Sequence, residues 1–154
     1  MSKAAWLGGL LLLVPGVALA SNASPVGKWQ TYDPQTGKPK TIIEITETPE
    51  GELTGTIIQR FAPANDPDKG LCVKCQGPLK NRPLVGMKIL WGVRRQGDAF
   101  TNGRILAPSM GRVLGAKIRL LDDGQKLDVR VHLGPIGRTG TWTRVAEAPS
   151  DPVR

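Results

Sequence analysis

Cys72 and Cys75 are the only two cysteines of the 154-residue chain, within the stretch Gly70-Leu71-Cys72-Val73-Lys74-Cys75-Gln76-Gly77. Two thiols at this spacing support three chemistries: a redox pair, half of a zinc site, or a cross-link. A thioredoxin-like redox pair opens a helix beside a parallel strand. The Pro- and Gly-rich surroundings here offer no such helix. Structural zinc wants four ligands, and the chain adds only one histidine, His132, to the two sulfurs. In an exported protein a disulfide is the expectation. The entropy model gives a ring this short only about 2 kcal/mol, so the bridge is expected to stiffen a turn rather than hold a domain together.

The remaining reactive residues form no recognisable catalytic set. His132 is the sole imidazole and no G-x-S-x-G motif occurs. Ser109 lies in a turn without a neighbouring base. Asp122-Asp123 and Asp66/Asp68 also fall in turns, where carboxylates shape and solvate the chain. Gly137-Arg138-Thr139-Gly140 lacks the Lys-Ser/Thr ending of a phosphate loop. The sequence therefore predicts no catalytic residue, no metal and no cofactor.

The elements that position these residues begin after the leader. Met1-Ser2-Lys3 is a short basic start, Trp6 to Ala20 is apolar, and Ala18-Leu19-Ala20 matches a cleavage pattern. The apolar run is shorter than the roughly 20 residues a spanning helix needs. Residues 1–20 read as a signal peptide, 21–25 as a flexible start, 26–145 as one β domain and 146–154 as a disordered tail. Periplasmic or secreted localisation follows, with no transmembrane segment after signal removal. The formal net charge is +8, scattered along the chain, and aromatics are 5%. That is poor material for stacking bases, so nucleic acid is not an expected partner.

Beyond the leader, period-two alternation dominates. Leu114, Ala116, Ile118 and Leu120 alternate with polar or small residues up to Asp122-Asp123-Gly124. Leu127, Val129, Val131 and Leu133 then alternate away from that turn, which makes a hairpin. Weaker strands cover Gly27–Asp33, Thr41–Glu47, Leu53–Arg60, the Met87–Arg94 region, Ala99–Leu106 and Thr139–Val145. Eight strands with short connections should pair antiparallel with their neighbours. Closing them removes the edges. The predicted fold is all-β, a single eight-stranded antiparallel up-and-down barrel. A long loop at 62–83 holds both cysteines and interrupts the short connections.

A barrel of this size is filled by its own side chains or holds one small ligand. Met87, Ile89, Trp91 and Val93 share a phase that points inward. Met87, Ile89 and Trp91, with Phe61 and Phe100, are the candidate ligand-binding residues.

Five segments resemble a known family. Gly27-Lys28-Trp29, Gly37-Lys38-Pro39, Cys72-x-x-Cys75-x-Gly77, Ile89-Leu90-Trp91-Gly92 and Gly137-Arg138-Thr139-x-Thr141-Trp142 occur in the order found in the exported bacterial family called domain of unknown function 2147. The resemblance spans Val26–Val145. It implies a lipocalin-like barrel with no settled biochemical activity. Lipocalins open on a G-x-W whose Trp is covered by an Arg from the end of the barrel. The resemblance thus assigns barrel closure to Trp29, Trp142 and either Arg144 or Arg138.

The expected function is an exported lipocalin-like protein that binds a small apolar or amphipathic molecule. The alternative is a filled barrel that contacts anionic envelope components through a basic face with Lys88, Arg94, Arg95, Lys117, Arg119 and Arg130.

Overall fold

A computed structural model describes residues 23–146; the predicted signal peptide and most of the predicted tail lie outside them. Eight strands follow in order: β1 Gly27–Tyr32, β2 Pro39–Glu47, β3 Glu52–Arg60, β4 Lys88–Gln96, β5 Ala99–Ala107, β6 Arg112–Leu121, β7 Lys126–Leu133 and β8 Ile136–Arg144. Each pairs antiparallel with the next, and β8 returns to β1, so the sheet is a closed barrel. Closure rests on a short seam, Trp29 opposite Arg144 and Gln30 opposite Thr143.

The alternation read in β6 and β7 is the alternation observed. Ile118 faces Val129 and Leu120 faces Leu127 across the pair. Ile118, Val129 and Leu127 are buried, whereas Lys117, Arg119 and Arg130 are exposed. The same inner face continues through Ile43, Ile45, Leu53 and Ile57, which form one apolar cluster with the other inward residues. Strands β1 to β7 thus bury residues in a common interior, to which β8 adds Trp142, and this burial is the main driving force for the fold.

β4 departs from simple alternation. Leu53 opposes Val93 and Gly55 opposes Leu90, so β4 spends one extra residue there, and it spends another before Thr56 opposes Lys88. These are bulges, which shift the phase of a strand. Gly92 makes one of them possible with a φ of 71°, a region costly for residues bearing a Cβ. The freed Gly92 N–H donates to Glu52 Oε1 at 2.7 Å. As a result Leu90 takes an interior position against Gly55 and Ile43. Trp91 lands opposite exposed Arg104 and is only half-buried. Trp91 packs against the edge of the core cluster without lining the cavity, so the inward orientation expected for it is met only in part: an uninterrupted period of two does not survive the bulges.

The alternation of up and down strands gives the barrel two distinct ends. The β2–β3, β4–β5 and β6–β7 turns gather at one end, together with the start of β1. The β1–β2, β5–β6 and β7–β8 turns and the long β3–β4 loop gather at the other.

Candidate functional site

The first end is plugged. Trp29 is fully buried, and its indole N–H donates to the Pro25 carbonyl at 2.8 Å. The Arg144 guanidinium lies 4.2 Å from the centre of the Trp29 ring. Its nitrogens donate to the carbonyls of Gly124, Val26 and Ser24 at 2.6, 2.9 and 2.7 Å. Burial alone pushes the Arg144 pKa down from its usual value, because desolvation disfavours the charged form. The three carbonyls and the indole face supply the compensation. Of the two arginines implied for closure, Arg144 takes the role. Arg138 is exposed near the other end, opposite Val131. Ser24, Pro25 and Val26 are held by these bonds, and Pro25 is fully buried.

The opposite end is open. A cavity of about 840 Å³ lies there. Its floor is apolar: Ile43, Ile57, Ile89, Ile105, Leu106 and Trp142. Trp142 faces Leu127 across the β7–β8 pair and is almost fully buried. Its implied place in closure is therefore joined by a second one, in the cavity wall. The rim is polar and comes from three connections. The β1–β2 turn and the start of β2 supply Thr36, Lys38 and Lys40, the β5–β6 turn supplies Ser109, and the long loop supplies Phe61 and Asp68.

Three charged groups near the mouth, Asp33, Arg60 and Asp66, are engaged in building their loops. Asp33 Oδ1 accepts the N–H groups of Gln35 and Thr36 at 3.0 and 2.9 Å. Those backbone donors hold its carboxyl below its ordinary pKa. Arg60 and Asp66 form a two-pronged ion pair at 2.6 and 2.7 Å. The hydrogen bonds from Arg60 hold Asp66 below the usual carboxylate range and push Arg60 up. That pair ties the first part of the long loop to the end of β3.

Cys72 and Cys75 are joined in a disulfide. Its surroundings change the expected role. Both cysteines are buried and belong to the core cluster. Cys72 N–H donates to the Arg82 carbonyl at 2.9 Å, and Asn81 N–H donates to the Cys72 carbonyl at 3.0 Å. Leu71 bridges to Pro83. The loop is thus folded back on itself around the bridge. It also docks on the β5–β6 turn: Cys72 Sγ lies 3.9 Å from the Pro108 carbonyl, and a Cβ on Gly111 would collide with the Lys74 carbonyl. A cross-link that is local in sequence therefore sits at a tertiary contact beside the mouth.

Of the candidate ligand residues, Ile89 and Phe61 line the cavity. Met87 is buried in the core cluster without lining it, and Phe100 lies beneath Arg95 at the plugged end, 4.9 Å from its guanidinium. Ile43, Ile57, Ile105 and Leu106 were not singled out from the sequence. Nothing distinguishes them there from other inward strand residues, because a cavity is defined by where strands diverge. His132 lies flat over Gly115 on the outer wall, so a Cβ there would overlap its ring. No group of three or more His, Cys, Asp or Glu suited to a metal occurs among the described residues.

A closed eight-stranded barrel, plugged at one end by a Trp under an Arg and hollow at the other, defines the lipocalin-like class. The chain belongs to the bacterial family described as "uncharacterized protein conserved in bacteria", domain of unknown function 2147, whose model matches residues 27–144. Among solved structures it is similar to protein HP1028 of Helicobacter pylori, which belongs to the lipocalin family. That similarity has a TM-score of 0.67 and 19% identity, covering 81% of this chain and 85% of the other. A variant of the fluorescent protein UnaG aligns over 79% of this chain and 96% of its own, with 15% identity and a TM-score of 0.41. No curated protein sequence matches the chain.

Proposed function

We propose that this is an exported binding protein that takes a small apolar or amphipathic molecule into the open end of its barrel. The observation that carries the reading is the cavity of about 840 Å³ with an apolar floor and a polar rim. Small-molecule sites have this form, mostly apolar walls with a few placed polar groups, at about 300–1,000 Å³. The volume also disfavours the alternative of a filled barrel. Export rests on the basic start, apolar run and Ala-Leu-Ala ending of residues 1–20.

The test is native mass spectrometry of protein purified from its source, together with titration of a lipophilic fluorescent dye. A co-purifying adduct or a saturable one-to-one dye signal is expected. Absence of both would overturn the reading.

A further inference from the structure

Exposed apolar side chains are normal on a protein surface when scattered. Here they are not scattered. Among the described residues, nine large apolar side chains are exposed, and only Val26 belongs to the plugged end. The most exposed stand on hairpin tips at the open end: Met110 at 56% and Val113 at 48% on β5–β6, Leu133 at 61% and Ile136 at 78% on β7–β8. Val85, at 51%, lies on the long loop. Strands β6 and β7 are hydrogen-bonded neighbours with Gly115 opposite His132, so the two tips stand side by side.

Charge follows the same axis. Exposed Arg112 and Arg138 flank the two tips, exposed Lys74, Lys80 and Arg82 lie on the loop, and Lys38 stands on the β1–β2 turn. Two of the acids at this end are engaged: Asp33 with its own turn and Asp66 with Arg60. The turns of the plugged end are the reverse. They carry Glu50, Asp98, Asp122 and Asp123, of which Asp122 is paired with Lys126 at 2.9 Å, and none of the nine exposed apolar side chains.

From this arrangement we propose that the open end docks on an anionic lipid bilayer. Paired apolar side chains on two adjacent tips, flanked by Arg112 and Arg138, suit insertion into the headgroup layer. The apolar groups enter the acyl boundary while the cations stay level with lipid phosphates. A protein partner or a second copy would instead call for an apolar centre depleted of charge, whereas Arg112 and Arg138 stand among these tips. Docking in this orientation sets the cavity mouth against the bilayer. It rests on the rim and not on occupancy of the cavity, so a dye titration without lipid and a vesicle assay fail independently.

The experiment is flotation of the chain from Ser21 to Arg154 with vesicles of phosphatidylcholine alone and of phosphatidylcholine with phosphatidylglycerol. Binding is expected to the anionic vesicles, with little to the neutral ones. Leu133→Ser with Ile136→Ser, and separately Arg112→Glu with Arg138→Glu, should each weaken it at least tenfold. Lys28→Glu, at the plugged end, should change it less than twofold. Unchanged circular dichroism and melting temperature show that the variants fold. No binding to anionic vesicles overturns the proposal, as does equal loss in Lys28→Glu, which would mean attraction to net charge alone. Self-association abolished by the Leu133/Ile136 pair, without vesicle binding, also overturns it, because the rim would then be a contact between copies.

Discussion

Arg144 covers Trp29 at 4.2 Å and at the same time holds three backbone carbonyls, from Ser24, Val26 and Gly124. One side chain therefore joins the lead-in to β1, the β6–β7 turn and the closing strand. Arg144→Ala removes the cation–π contact and leaves those acceptors without their charged donor. A loss of about 2–3 kcal/mol is expected, read from the urea midpoint at unchanged m. Lys in place of Arg has a single ammonium without the planar fork, so Arg144→Lys should recover less than half of the loss. A loss under about 0.5 kcal/mol for Arg144→Ala, the range of an ordinary surface change, would show that the plug is held by Trp29 burial alone.

The disulfide should be inert to thiol reagents under native conditions, since both cysteines are buried. Replacing both with Ala is expected to cost at least the roughly 2 kcal/mol of ring entropy. Because the bridge sits against the β5–β6 turn, the damage should reach beyond the ring. Trypsin should then cut at Lys74 and Lys80 in the double variant under conditions where the parent resists. Equal resistance in both would confine the bridge to a local role.

Ala107 is half-buried at the cavity wall. Ala107→Trp places an indole in space the cavity already offers, so a melting temperature within a few degrees of the parent is expected. Dye affinity should fall at least tenfold. Undiminished dye binding would place the dye somewhere other than this cavity.

Gly37 and Gly111 have similar conformations, φ of 68° and 64°. An Ala at either position carries the left-handed backbone cost of roughly 1–2 kcal/mol. A Cβ on Gly37 meets nothing within 4 Å, whereas one on Gly111 meets the Lys74 backbone. Gly111→Ala should therefore destabilise more than Gly37→Ala and also raise amide exchange at Cys72–Cys75. Equal effects would mean that the loop does not lean on the β5–β6 turn.

Asp66 supplies a pH dependence with a definite sign. Arg60 depresses its carboxyl pKa in the folded chain. The stabilisation is therefore fully present above the unfolded value of about 3.9 and is lost as pH falls through the lower folded value. Protection factors of loop amides near Gly70 and Leu71 should hold at pH 5 and drop in acid. Asp66→Asn should show the reduced protection already at pH 5. Protection that is flat with pH in the parent would remove the ion pair from any role in loop order.

Much of the fold was legible because its signal is repetitive. The β6–β7 hairpin is a clean alternation on both sides of Asp122-Asp123-Gly124, and the register follows it. The half-buried position of Trp91 was not legible, for the opposite reason. Two bulges in β4 reset the phase, and their only trace in the sequence is Gly92, a residue that strands also tolerate without bulging. The site was half legible. Phe61 and Ile89 were found, but Ile43, Ile57 and Ile105 look like any inward aliphatic until the strands around them are seen to part.

In the docking proposed above, the excess of cations around the mouth over the plugged end, where Glu50, Asp98, Asp122 and Asp123 sit among Arg94, Arg95 and Lys126, acts as a dipole component along the barrel axis. Near a negatively charged wall such a dipole feels a torque before it makes any contact, and it turns mouth-first during approach. Over a bilayer the alignment reaches about a Debye length, roughly 8 Å at physiological salt and 30 Å at 0.01 M. The rate of productive encounters should thus fall as salt rises, even where the lifetime of the docked state is set by the apolar tips.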